Sequence, residues 1–209
     1  MVSHIRTAHR LWAAAVLVVA TASCGDVVRT GRSPVLLVID SLGGARGSSS
    51  TASTFAATLQ SDVIVLLSSP APCTPTARCP TVFSDTGQVL LRLVPKDSSI
   101  APSDSNAVTI SRYHISFRRA DGRNTPGIDV PYGYDGAVTA TVSAGESTPI
   151  VFELIRHVTK SEPPLVQLIV NPSIIYTIAE ITFYGTDLVG NAISVTGHMS
   201  IDFGNFGDA

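Results

Sequence analysis

The stretch Ile193–Phe203, ISVTGHMSIDF, decides the fold. Ile193, Val195, Gly197, Met199, Ile201 and Phe203 alternate with Ser194, Thr196, His198, Ser200 and Asp202. Successive side chains of an extended chain point to opposite faces, so this period of two gathers the apolar residues on one side and the polar ones on the other. The pattern predicts a long, half-buried strand of an antiparallel sheet. Immediately upstream, Ile178–Tyr184 predicts its partner, with Ile181 and Phe183 toward the core. The link between them, Gly185–Asn191, carries the Gly and Asn that a hairpin turn uses at positive φ.

The same reading extends toward the N-terminus. Val138, Ala140 and Val142 alternate with Thr139 and Thr141, and Ile150, Phe152 and Leu154 alternate likewise. Within Val108–Phe117 the parity switches: Val108 and Ile110 are even, whereas Tyr113, Ile115 and Phe117 are odd. One regular strand cannot bury both sets, so a bulge or bend is predicted near Ser111–Arg112. Pro34–Asp40, Asp62–Leu67 and Gln88–Pro95 are continuous apolar runs, expected as strands buried on both faces. Gly43–Ser53 and Lys96–Asn106 are expected as loops, and Thr54–Gln60 as a short helix.

The pentad Asp187-Leu-Val-Gly190-Asn191 resembles the Asp-x-x-Gly-Asn turn before the last strand of many bacterial immunoglobulin-like domains. That resemblance covers about thirty residues; it implies a fold and says almost nothing about function. With about eight strands at short spacing, the chain is expected to form an all-β, immunoglobulin-like antiparallel two-sheet sandwich over residues 33–209. An outer-membrane barrel would need aromatic girdles, and only 6% of the residues are aromatic.

Residues 1–23 have the order of a secretory signal peptide. Arg6 and Arg10 precede an apolar run from Leu11 to Ala20, and the small residues Ala22 and Ser23 lead into Cys24. The run is shorter than the ~20 residues that span a bilayer. Thr21-Ala22-Ser23-Cys24 resembles the lipobox of bacterial lipoproteins, with Thr21 where Leu is usual. The resemblance implies cleavage before Cys24, a diacylglyceryl group on its sulfur, and a tether over residues 24–32. The address is then the bacterial cell envelope, extracytoplasmic and lipid-anchored. The alternative is an ordinary signal peptide that contains a cysteine.

Composition fits export. Of 14 Lys and Arg, two leave with the leader, against 16 Asp and Glu. A mildly acidic chain without a basic tract offers nucleic acid no electrostatic footprint. If Cys24 is acylated, Cys73 and Cys79 remain to pair in an oxidising compartment, within the Pro-rich stretch Ser68–Pro80. A metal site would need two further ligands, which no second Cys pair or His cluster supplies.

Catalytic signals are weak. His114, His157 and His198 are scattered over the expected strands, and His198 has solvent parity. Ser48–Ser50 have no base placed near them, and no Gly-x-Ser-x-Gly elbow, His-Glu-x-x-His helix or phosphate-cradling loop occurs. The expectation is a non-enzyme without cofactor or metal. Its richest polar segment is Ala120–Gly136. There Asp121, Asn124, Asp129 and Asp135 are hard oxygen donors, though their spacing matches no EF-hand. Tyr132 and Tyr134 could present a flat face to a glycan or protein, with Arg123 beside them. The simpler use of these residues is turn capping and cover for the core edge. Arg112, Arg118, Arg119 and Arg123 read either as an anion-binding patch or as solvent-face residues paired to scattered carboxylates. The chain is thus expected to be an envelope lipoprotein whose β-domain binds or scaffolds a protein or glycan partner, with a carbohydrate-binding module as the alternative and an envelope hydrolase behind it.

Overall fold

The computed structural model describes residues 32–47, 54–99 and 103–207. The expected leader, Cys24, most of the expected tether and Ser48–Ser50 lie outside the described residues. Among those described, the chain is all-β, with ten strands: β1 Val35–Ala45, β2 Thr58–Asp62, β3 Val65–Leu67, β4 Cys79–Thr81, β5 Asp85–Pro95, β6 Val108–Arg118, β7 Tyr134–Val142, β8 Thr148–Ile155, β9 Ile175–Asp187 and β10 Ala192–Gly204. Helix among the described residues is limited to α1, His157–Lys160, and two 3₁₀ turns, Asp104–Asn106 and Leu165–Ile169.

The strands form a three-stranded sheet, β1-β5-β8, a five-stranded sheet, β2-β10-β9-β6-β7, and a small ribbon, β3-β4. β9 and β10 pair antiparallel, Phe183 opposite Val195 and Ile181 opposite Gly197, with the expected parity. Burial of β10 deepens along its length. Met199, Ile201 and Phe203 are buried, whereas Ile193 and Val195 are only half-buried. The reason is lateral: β2 covers Ser200–Gly204 alone, in a parallel pairing, and leaves the first half of β10 at the sheet edge. The bulge in β6 falls where the parity switch puts it. Register shifts between Ile110 and Arg112 against both β7 and β9. Val108, Ile110, Tyr113, Ile115 and Phe117 therefore all face inward.

The two larger sheets enclose one apolar core. Phe152 of β8 meets Tyr113 of β6, ring centroids 5.0 Å apart, and Phe183 of β9 at 5.2 Å in an edge-on contact. This aromatic cluster joins the sheets, and the Tyr113 hydroxyl also donates to the Glu153 carbonyl at 2.9 Å.

Several expectations need correction. Thr54–Gln60 is not helical. Ala56 bridges Gly44, and Thr58 opens β2, because Leu59 and Ser61 fill the core side and the chain pairs with the end of β10. Tertiary pairing outweighs a short local preference. Asp62–Leu67 is not one buried strand: β2 ends at Asp62, and Val65–Leu67 forms the half-exposed ribbon with β4. Pro34–Asp40 is not buried on both faces either, since β1 is an edge strand with Leu36 exposed. β1 also runs on through Gly43 and Gly44, which were expected in a loop. Gly44 packs tightly there: a Cβ would stand 2.7 Å from Leu154 and 3.1 Å from Met199, so a larger residue would displace those side chains. Cys73 and Cys79 are disulfide-bonded, Cα atoms 5.3 Å apart.

The strand registers define two ends. At one, Val35 opposes Pro95, Val108 opposes both Val142 and Asp187, and the β9–β10 turn projects. At the other lie Asp62, the start of β5, α1 and the β6–β7 connection. The eleven residues of β6 separate these ends by roughly 35 Å at ~3.4 Å per residue.

Candidate functional site

The long polar connection between β6 and β7 occupies the end opposite the chain's entry into the domain. Its base is closed by the Arg119 N–H, which donates to Asn124 Oδ1 at 2.6 Å. Asp121 sits between two guanidinium groups. Arg119 Nη2 lies 2.7 Å and Arg123 Nη2 2.8 Å from its Oδ2, and each Nε adds a second bond. Arg119 first, then Arg123, holds the Asp121 carboxyl far below the usual carboxylate range. The loop bends next around Thr125, whose carbonyl accepts the N–H groups of Ile128, Asp129 and Val130. Asp129 Oδ2 accepts the Thr125 N–H at 3.2 Å and so caps that turn. Gly127, at φ +77°, lies directly beneath the Tyr132 hydroxyl, so the turn needs glycine both for its backbone and for the ring's approach.

The remaining residues of the expected site go elsewhere. Tyr134 is buried, and its hydroxyl donates to the Leu154 carbonyl at 2.6 Å. The Arg156 guanidinium covers its ring at 3.6 Å from the centroid, and burial pushes the phenol's pKa up. Tyr132 is 55% exposed, so the two tyrosines do not share an exposed platform. Asp135 lies on the outer face of the five-stranded sheet, 3.2 Å from His114 Nδ1 and 3.3 Å from Arg112. The four oxygen donors are therefore not gathered. Among the described residues no group of three or more His, Cys, Asp or Glu is placed to hold a metal.

The arginines follow the paired reading. Arg112 meets Asp135 and stacks on Tyr184, Arg118 lies 3.9 Å from Glu180, and Arg119 and Arg123 share Asp121. His198 meets Glu180 at 3.1 Å on the outer face, while His157 begins α1. What the loop presents outward is Ile128, Tyr132 and the Arg123 side chain: one aliphatic, one aromatic and one cationic group on a hydrogen-bonded frame.

No family model, curated protein or solved structure matches the chain. The site is then interpretable only through its own chemistry, that of a hydrogen-bonded loop with an aliphatic, an aromatic and a cationic side chain exposed.

One polar cluster escaped sequence reasoning. Lys160 and Asp85 form an ion pair with the lysine 1% exposed and the carboxylate equally enclosed. Asp85 heads β5, and α1, which follows β8 in the chain, delivers Lys160. The only sequence signal is scarcity: the chain has two lysines, and one of them stands here.

Proposed function

We infer that this protein is a lipid-anchored envelope lipoprotein whose β-domain presents a non-catalytic contact surface away from the membrane. The observation that carries the reading is the placement of the two ends. The described chain enters the domain at the β9–β10 end, where Ser33 hydrogen-bonds to Asp187. The Ile128–Tyr132 surface lies at the opposite end. With the lipid on Cys24, the tether reaches up to about 30 Å at full extension. The loop would then stand away from the bilayer, facing a partner protein or glycan. Several buried acyl chains, at ~0.8 kcal/mol per CH₂, suffice to hold such a domain at a membrane.

The strand order supports an immunoglobulin-like assignment. β1, β5 and β8 take the places of strands A, B and E, and β6, β7, β9 and β10 those of C, C′, F and G. β2 adds a parallel strand beside G. Five residues link β7 directly to β8, leaving no strand D. In the F–G turn, Asp187 Oδ1 accepts the N–H groups of Val189 and Asn191, and Gly190 takes φ +85°. Those contacts give the Asp-x-x-Gly-Asn resemblance a physical basis.

The test is site-specific photo-crosslinking in intact envelopes. A crosslinker at Tyr132 is expected to trap a discrete protein or glycan adduct, and one at Leu188 is expected to trap lipid. Lipid adducts from Tyr132, or the same adducts from both positions, would refute the orientation.

A further inference from the structure

The buried lysine is not needed by the contact surface, and its surroundings are unusual. Lys160 Nζ lies 2.9 Å from both Asp85 oxygens. An amine equidistant from two carboxylate oxygens stands roughly 3 Å from the carbon between them, which meets the distance requirement for attack on that carbon. Each oxygen also receives a donor from elsewhere: the Gly47 N–H at 2.7 Å on Oδ1, and the Ser61 hydroxyl at 2.6 Å on Oδ2. Gly47 itself abuts the Ser84 carbonyl so closely that no side chain fits there. A second buried carboxylate, Asp62, acts electrostatically on Lys160 from the end of β2.

We propose that Lys160 Nζ and the Asp85 side-chain carboxyl condense into an intramolecular amide that bolts the segment following β8 to the head of β5. One ammonium proton crosses the 2.9 Å hydrogen bond to Asp85, leaving a neutral amine and a carboxylic acid. Burial assists by disfavouring the charged amine. The nitrogen lone pair attacks Cγ, forming the C–N bond. The negative charge that develops on Oδ2 falls on the Ser61 hydroxyl, a donor already in position, while the Gly47 N–H stays on Oδ1, the oxygen that leaves. A second nitrogen proton passes, with Asp62 as relay, to the hydroxyl oxygen on Cγ. That C–O bond breaks and one water leaves. The balance is ammonium plus carboxylate giving amide plus water, with no oxidant, reductant or activating group.

Energetics favour the product in this pocket. Two charges withdrawn from water carry a desolvation penalty that their attraction only partly offsets, and the amide removes both charges. Enclosure also keeps bulk water from the carbonyl, so reversal by hydrolysis is slow. The bond would close a loop between residues 75 apart in sequence.

The experiment is peptide mass spectrometry on the full chain purified from its expressing cells, denatured, reduced and digested. Because it is read at Asp85 and Lys160, it is independent of the state of Cys24. The expected result is a branched species joining the Asp85 peptide to the Lys160 peptide, one water lighter than their sum. Asp85→Asn is expected to give the same branched mass, with ammonia lost in place of water. Asp85→Ala and Lys160→Arg are expected to give linear peptides only. Recovery of the wild-type protein as linear peptides, with Lys160 open to acetylation after denaturation, would overturn the proposal.

Discussion

Phe152→Ala, combined with Gly87→Ala, probes the joint between the two sheets. Phe152 is 5% exposed and touches Tyr113 and Phe183 from the opposite sheet. Truncating a buried Phe costs about 3–5 kcal/mol through lost transfer energy and the cavity left behind. Here the strand beside Phe152 cannot fill the hole, because the neighbour at that level is Gly87. The expected loss is about 4 kcal/mol, a large part of the 5–15 kcal/mol typical of a domain. A Cβ on Gly87 would sit 2.5 Å from the Phe152 ring. Gly87→Ala alone is therefore expected to destabilise by about 1–3 kcal/mol through overpacking. In the Phe152→Ala background the same methyl enters vacated space and is expected to be neutral or stabilising. The assay is a double-mutant cycle from urea denaturation, comparing midpoints at constant slope. Additive effects, or a Phe152→Ala loss below about 1.5 kcal/mol, would refute this packing of one sheet on the other.

Other consequences are smaller. Asp187→Ala removes a carboxylate that accepts two backbone N–H bonds and the Asn191 side chain, and should cost about 2 kcal/mol in thermal or urea unfolding. Those bonds, opposing the desolvation of the site, lower the Asp187 pKa. Its stabilisation is accordingly full above the unfolded-state value and falls away as pH drops through the lower folded value, a dependence that Asp187→Asn should flatten in acid titrations. Reducing the Cys73–Cys79 bond releases a ring of small sequence separation, so the unfolding free energy should fall by only about 2 kcal/mol. Tyr134→Phe leaves the Leu154 carbonyl without its hydroxyl donor and should destabilise by about 1–2 kcal/mol. Tyr132→Ala, by contrast, should leave stability nearly unchanged and abolish the crosslinked partner band.

The parts of the architecture written in period-two patterns were legible. Ile193–Phe203, its partner Ile178–Tyr184 and the parity switch at Ser111 follow from side-chain alternation, a local property of the backbone. The first strands were not. Thr58–Asp62 is a strand because the C-terminal end of β10 lies beside it, and that neighbour is more than a hundred residues away in sequence. Gly43 and Gly44 suggest a loop until Phe55 and Ala56 close on the first and the side chains of Leu154 and Met199 on the second. The β6–β7 loop shows the same divide. Asp129 and Asn124 cap turns, as their residue types suggest, whereas Tyr134 and Asp135 take opposite faces of β7 by strand parity. The Lys160–Asp85 pair leaves no periodic trace, since it joins two element ends that only the folded sheets bring together.

The most direct measurement for the anchored-display account is mass spectrometry of the N-terminal peptide of protein extracted from envelopes. The account predicts that the chain starts at Cys24 and carries a diacylglyceryl group on its sulfur. A free thiol at Cys24, or an uncleaved leader ahead of it, would contradict the account.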